Sequence, residues 1–240
     1  MGWPRFVDQS LRRPRILGGA SHPWTGRCAP FDDIDYEQRD WVPHSGWPFG
    51  PKVLAPYLDR TTAHLGLGLG SGCTGSDFWR LARRRLPRHG LDNDSLLPFF
   101  WRYSRDEMNR HDSMRFGPRL AAQLPDNMRL VTNATVLHIN TNREATAAHS
   151  VEVGSPDGGR WTVNAPSIVL CAGGVENARL LLASNRTAPA GLGNQNDLVG
   201  RFLMDHLRGG VASFALADHD RLRRYFGIHN VRCAIGSQLF

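Results

Sequence analysis

The glycine turn Ala172-Gly173-Gly174 has the composition of a site for an anionic ligand. Residues this small let a phosphate or another backbone approach closely. A helix is predicted to begin near Val175, and the unpaired N–H groups at a helix N-terminus attract anions. The preceding apolar run, Ile168 to Leu170, predicts a buried strand. Strand, turn and helix are together typical of dinucleotide sites, but an ordinary βα turn that binds no ligand has the same composition.

A second glycine loop lies near the start of the chain and reads Leu17-Gly-Gly-Ala-Ser-His-Pro-Trp-Thr-Gly26. Gly18 and Gly19 permit a sharp turn, and the hydroxyls of Ser21 and Thr25 can donate to a ligand. Trp24 adds a broad flat surface. The alternative interpretation is a surface loop that the tryptophan anchors.

A third segment, Gly70 to Gly75, matches the GxGxxG fingerprint of dinucleotide-binding proteins. The fingerprint also requires a buried strand before it and an acidic residue at the end of the next strand. The preceding Leu65–Leu69 is a poor strand, and Asp92 and Asp94 lie in a predicted turn. We therefore interpret the match as a flexible glycine loop.

Composition predicts a folded protein that binds neither nucleic acid nor metal. The net charge of +7 comes almost wholly from arginine, since Lys52 is the only lysine. The basic run Arg83–Arg88 is interpreted as the solvated face of a helix, because no nucleic-acid module accompanies it. The four cysteines form no CxxC pair, which argues against a zinc site and a disulfide framework and favours reduced, mostly buried thiols: Cys28, Cys73, Cys171 and Cys233.

The N-terminal residues lack the apolar core of a signal peptide, and no apolar run approaches the length of a membrane span. A reducing, cytoplasmic location is the expectation.

The elements that must position the two glycine turns are predicted from periodicity. Residues 30–60 are punctuated by proline and aromatic residues, which indicates an irregular segment packed over another element. A helix is predicted from Val53 to Leu65. Short strands then follow at Met128–Thr132, Val136–Asn140, Ser150–Val153 and Trp161–Asn164, as a meander leading into the Ile168 strand of a parallel sheet.

Four motifs occur in the order and spacing of one known family. They are Leu17–Gly26, Gly46-Trp-Pro48 before Pro56-Tyr57, Ala172–Leu182, and Val199-Gly-Arg-Phe-Leu-Met-Asp-His206. On these residues the chain resembles the glucose–methanol–choline (GMC) family of FAD-dependent oxidoreductases. The loop from Gly18 to Ala29 is most similar to the pyranose-oxidase-like and sugar-dehydrogenase branch. One such motif is weak evidence, whereas four in sequence are specific.

The resemblance implies which residues meet FAD. The first loop lies along the flavin and pyrophosphate in this family, the strand near Val136 meets the adenine through its backbone, and the second turn lies beside the ribose and pyrophosphate. The implied cofactor-binding residues are Gly18, Gly19, Ser21, Trp24, Thr25, Gly26, Val136, Ala172, Gly173, Gly174 and Asn177. Some members attach FAD through a histidine just before the tryptophan, where this chain has Pro23, with His22 one residue earlier.

The fold class implied is mixed α/β, an incomplete Rossmann-like FAD-binding domain with a β-meander and part of a substrate-binding domain. Residues 1–30 would contact FAD, 31–115 form a cap or substrate-domain segment, 116–206 belong to the FAD-binding domain, and 207–240 begin the substrate-binding domain. The family's first βαβ unit and its C-terminal catalytic histidine have no counterpart in this sequence. We therefore expect an internal fragment of a longer enzyme, and no catalytic residue is assigned. His206 is interpreted as structural.

The resemblance implies hydride transfer from an alcohol or sugar CH–OH group to flavin N5, with a small-molecule substrate and an unidentified electron acceptor. Two alternatives remain open: an inactive truncated product of such a gene, and an NAD-dependent dehydrogenase built on Gly70–Gly75.

Overall fold

A computed structural model describes residues 13–67, 99–106, 109, 112–205, 215–220, 230–233 and 236–239. The chain divides into two compact units. The first comprises Met1–Pro125 and Ala212–Phe240, and the second comprises Asp126–Val211. The glycine match at 70–75, the basic run at 83–88 and His206 lie outside the described residues. The predictions made for them stay predictions.

The first unit combines short helices with two-stranded ladders. Strand β1 (Arg27–Cys28) pairs antiparallel with β2 (Arg102–Tyr103), and β6 (Asn230–Cys233) pairs antiparallel with β7 (Gly236–Leu239). No helix among the described residues is long and apolar enough to cross a membrane. The elements are a 3₁₀ helix at Gly19–Ser21, β1 Arg27–Cys28, α1 Asp33–Tyr36, α2 Pro51–His64, β2 Arg102–Tyr103, α3 Phe116–Ala122, a 3₁₀ helix at Leu216–Asp218, β6 Asn230–Cys233 and β7 Gly236–Leu239.

Helix α2 confirms the helix predicted from Val53, although it begins two residues earlier. Pro51 stands in its first turn, where the absent N–H of proline costs nothing. Leu54 and Leu58 are half-buried, one helical turn apart. Tyr57, which helical spacing places on the same face as Leu54 and Leu58, is instead 55% exposed, and the guanidinium of Arg60 lies 4.9 Å from its ring centre. The buried stripe is thus narrower than predicted.

The second unit contains a three-stranded antiparallel meander of β3 (Thr135–Thr141), β4 (Ala148–Gly154) and β5 (Arg160–Asn164), in that order. These strands confirm the last three predicted at 136–140, 150–153 and 161–164. Helix α4 (Gly174–Ala183) packs one face against β3. Ile139 of β3 and Leu180 of α4 form the core with Leu192, while Leu182 remains 39% exposed.

Two predicted strands are not formed. Residues 128–132 and 168–170 have no strand pairing, and Val169 is 82% exposed instead of buried. A β-strand requires a neighbour to satisfy its N–H and C=O groups. Every strand pair in the described part of the chain is antiparallel and lies within the three ladders above. The two strand predictions are therefore wrong, because neither apolar run has a neighbouring strand to pair with among the described residues.

The outer edge of β3 is closed by residues that follow α4. The backbone N–H of Ile139 donates to the Ser184 hydroxyl at 3.0 Å, and that hydroxyl donates to the Leu180 carbonyl at 2.7 Å. Ser184 is fully buried. Because an edge strand presents unpaired backbone groups, this one hydroxyl satisfies both the sheet edge and the C-terminal turn of the helix.

An ion pair joins the segment after α4 to the meander. The Arg186 guanidinium donates two hydrogen bonds to Glu152 of β4, one of them at 2.8 Å from Nη2 to Oε2. Hydrogen bonding by Arg186 lowers the pKa of the Glu152 carboxyl. The pair is exposed, so its contribution to stability is small.

Replacing Ser184 with Ala should destabilise the second unit by about 1–3 kcal/mol, because the buried Ile139 N–H loses its only partner among the described residues. The measurement is the free energy of unfolding in urea. Thr187→Val is the control, since the Thr187 hydroxyl is bonded to Thr141 at an exposed position and its loss should cost less than about 0.5 kcal/mol. Equal effects of the two substitutions would contradict the role given to Ser184.

Candidate functional site

The first glycine loop is docked against the start of α3 within its own unit. Gly18 has φ = 94°, and a Cβ added there would lie 2.5 Å from the backbone nitrogen of Gly117. A Cβ on Gly117 would in turn clash with the carbonyl of Leu17. A Cβ added at Gly26 would lie 2.5 Å from the carbonyl oxygen of Ser104, and the Ser104 N–H donates to the Gly26 carbonyl at 2.7 Å. Two of the predicted cofactor-binding glycines thus have a packing role in the protein itself.

The polar groups of this loop are also bonded inside the first unit. The Ser21 hydroxyl donates to the Gly18 carbonyl at 2.6 Å and accepts from the Phe116 N–H at 3.2 Å. The Trp24 indole N–H donates to the Met114 carbonyl at 2.7 Å, and its ring centre lies 6.3 Å from that of Phe116. These contacts agree with the alternative of a loop anchored by its tryptophan. A role of these residues in binding FAD stays a prediction.

Only part of the loop is left for a ligand. A Cβ at Gly19 would meet no atom within 4 Å, and Thr25 is exposed. His22, the residue nearest to the family's histidine for covalent attachment, has Nε2 2.8 Å from the Leu17 carbonyl. That ring nitrogen is already used in holding the turn.

The second glycine turn differs from the first because it is open. Gly173 has φ = 86° and precedes Gly174, the first residue of α4. Ala172, Gly173 and Gly174 are exposed, and a Cβ at either glycine would meet no atom within 4 Å. No side chain caps the helix at this end. The N–H groups before Asn177 lack partners within the helix, and the helix dipole favours an anion beside them.

Asn177 supports this turn from the first turn of α4. Its Oδ1 accepts from the Ala172 N–H at 2.9 Å, and its Nδ2 donates to the Leu170 carbonyl at 3.2 Å. One side chain therefore fixes the chain on the approach to the two glycines. In the structure, Asn177 positions the turn. The sequence motif alone does not distinguish this role from a direct contact with the ligand.

Val136 is placed in β3 with its side chain packed against the core of the second unit. Its backbone pairs with Val153, and the register shifts before His138, which leaves Leu137 as a bulge residue. The side chain is half-buried against this core. The implied adenine contact concerned the backbone and stays a prediction.

Three residues with a structural role were not identified from the sequence, and only one of them has a local signal. Gly117 could have been suspected from Phe116-Gly117-Pro118, where proline favours a helix start. Arg115, whose guanidinium donates to the His22 carbonyl, gives no local pattern. Ser184 ends a helix without any of the usual signals.

The cysteines fit the prediction in part. Cys28 and Cys171 are free thiols, and desolvation raises the pKa of the Cys28 thiol. Cys171 is exposed, against the expectation of burial, because the strand predicted around it is not formed.

Comparison with known proteins supports the resemblance. Residues 103–208 match the family model described as GMC oxidoreductase. The chain is 26% identical to a 2-methyl-1,2-propanediol dehydrogenase of Mycolicibacterium austroafricanum in an alignment 240 positions long, which covers 82% of this chain and 42% of that protein. It is 35% identical to the fructose dehydrogenase large subunit of Gluconobacter japonicus over 79 residues, 32% of this chain and 14% of that protein.

The match confirms the resemblance to GMC oxidoreductases over residues 103–208. That region contains the meander, the second glycine turn and α4. The chain spans less than half the length of either relative.

Replacing Gly18 with Ala should destabilise the first unit by about 2–4 kcal/mol, because backbone strain at positive φ adds to the clash with Gly117. Gly158→Ala is the matched control, since Gly158 has φ = 90° but open space around a Cβ. The difference in the free energy of unfolding isolates the clash. Equal costs would mean that Gly18 is not closely packed.

Proposed function

We propose that this chain is part of an FAD-dependent oxidoreductase that acts on the CH–OH group of a small alcohol or sugar. The family match over residues 103–208 and the two similar dehydrogenases support the class. The observation that carries the proposal is the uncapped, glycine-opened N-terminus of α4, which lies within the matched region. Such a helix end suits a pyrophosphate.

The second glycine turn leaves more room and more free backbone N–H groups for FAD than the first glycine loop does. At the second turn, Gly173 and Gly174 would hold the pyrophosphate through backbone N–H groups, with Asn177 fixing the turn. At the first loop, Gly19 and Thr25 keep open surface, whereas the other polar groups are already bonded. The backbone of Val136 would meet the adenine. Residues 1–30 and 116–206 are the proposed FAD-contacting segments, with 31–115 and 207–240 on the substrate side.

When bound, FAD supplies a two-electron oxidant that accepts a hydride at N5 from the alcohol carbon. The alcohol proton must pass to a base within hydrogen-bond reach. We assign that role to no residue described here. The part of this chain in the reaction is to bind and orient the cofactor.

The experiment is reconstitution of the purified chain with FAD, followed by gel filtration and flavin absorbance. Protein that retains flavin supports the cofactor-binding part proposed for this chain. Colourless protein that cannot be reconstituted favours the alternative of an inactive truncated product.

Replacing Gly174 with Ala tests the open turn directly. The added methyl meets no protein atom, so the free energy of unfolding should stay the same or rise by up to about 1 kcal/mol. Affinity for FAD should fall by about tenfold or more, because the methyl occupies the space proposed for the pyrophosphate. Gly50→Ala is the matched control, since Gly50 precedes helix α2 and is also open. Unchanged FAD affinity in both variants would contradict the site.

Replacing Asn177 with Ala tests positioning of the same turn. Asn194 makes an equivalent pair of hydrogen bonds in the second unit, from Nδ2 to the Ala190 carbonyl at 2.8 Å and from the Val199 N–H to Oδ1 at 2.9 Å. Both Asn→Ala variants should lose about 1–2 kcal/mol of stability. Only Asn177→Ala should also weaken FAD binding, by about tenfold, in equilibrium dialysis. Equal losses of FAD affinity would assign Asn177 a purely structural role.

A further inference from the structure

A shallow, open cleft in the first unit is lined by no residue of either glycine turn. It has a volume of about 580 Å³ and is lined by the end of α1 and by the segment that leads into α2. Tyr36, Trp47 and Phe49 contribute aromatic walls, and Asp33 and Glu37 contribute carboxylates. Nothing in the proposed binding of FAD uses these residues.

Three aromatic rings lie next to one another on the aromatic side of the cleft, and two of them are more than half exposed. The Trp47 ring centre lies 5.5 Å from that of Phe49 and 6.3 Å from that of Phe31. Trp47 is 52% exposed and Phe31 is 55% exposed. Their accessible faces carry the negative side of the ring quadrupole, which attracts cations.

The polar side of the cleft carries the same sign of charge. Asp33 and Glu37 are exposed, and neither carboxylate has a hydrogen-bond or ion-pair partner in the part of the chain that the structure describes. Residues 31–40 contain five carboxylates and one arginine, in a chain whose net charge is +7. The local field therefore opposes that of the whole chain and favours positively charged ligands.

The two sides are held in place before any ligand binds. The Trp47 N–H donates to the carbonyl of the buried Tyr36 at 3.1 Å. The Ser45 hydroxyl accepts from the Arg39 N–H at 2.7 Å and donates to the Arg39 carbonyl at 3.0 Å. A ligand would therefore not have to order the cleft, which reduces the entropic cost of binding.

We propose that this cleft binds an organic cation of the alkylammonium type. The ammonium group would lie over the Trp47 face, between the carboxylates of Asp33 and Glu37, and its alkyl chain against the rings. Aromatic faces and unpaired carboxylates both favour such a group, whereas a neutral polyol would gain nothing from the charge and an anion would be repelled. The proposal uses none of the residues proposed to hold FAD.

The test is a saturation-transfer NMR titration of the full chain, at low ionic strength, with four probes: n-butylammonium, n-butanol, butyrate and D-glucose. The expected result is that n-butylammonium binds about tenfold or more tightly than n-butanol and that butyrate does not bind. The affinity for n-butylammonium should fall as salt is added. Equal binding of the amine and the alcohol, or tighter binding of glucose, would overturn the proposal.

Matched variants locate the site. Glu37→Gln and Trp47→Leu should each weaken n-butylammonium binding by about threefold or more. Asp40→Asn and Trp41→Leu should change it by less than about twofold, because these exposed residues belong to the same segment but do not line the cleft. Trp47→Phe retains an aromatic face and should preserve most of the binding, which separates loss of the ring from misfolding. Binding that survives in both Glu37→Gln and Trp47→Leu would overturn the assignment.

Discussion

The packing of α4 against β3 fixes the position of the second glycine turn. Leu180 and Ile139 bury the interface, and Ser184 ties the C-terminal end of the helix to the edge of the strand. At the other end, Asn177 ties the helix to the chain that enters the turn. The helix is held at both ends by hydrogen bonds and along its length by apolar contacts. The two glycines at its N-terminus therefore have a fixed position. The uncapped amides at Gly174 are therefore preorganised for a ligand.

The two glycine motifs show that the same residue type serves different physical ends. In the first loop, glycine is required because another segment of the protein approaches where a side chain would be, as Gly117 does at Gly18. In the second turn, a Cβ at Gly173 or Gly174 would meet no atom of the described residues within 4 Å, so packing within that part of the chain does not explain why side chains are absent. Space that the fold leaves empty beside unpaired N–H groups is the stronger indication of a ligand.

Much of the local structure could be predicted from the sequence. The alternation in β3, β4 and β5 and the turn residues between them specify the meander, and the spacing of leucines specifies α2 and α4. The apolar runs at 128–132 and 168–170 were predicted as strands by the same rules. These two strand predictions are wrong because a strand forms only beside a neighbouring strand, and a local pattern does not show whether that neighbour exists.

The candidate site was predictable at the level of motifs and not of roles. The motif containing Ala172-Gly-Gly identifies the turn, but only the geometry shows that Asn177 supports the backbone while Val136 packs into the core. In the same way, Ser21 and Trp24 look available in the sequence, whereas the Ser21 hydroxyl accepts from the Phe116 N–H and the Trp24 indole N–H donates to the Met114 carbonyl. Hydrogen bonds between residues 90 or more positions apart leave no trace in a single sequence.

The central claim is that the N-terminus of α4 receives the pyrophosphate of FAD. Amide hydrogen exchange at Gly174, Val175 and Glu176, followed with and without saturating FAD, tests it most directly. The account predicts that FAD slows exchange at these amides by about tenfold or more, that ADP does the same, and that strand β4 is unaffected. FAD binding that leaves exchange at these three amides unchanged would contradict it.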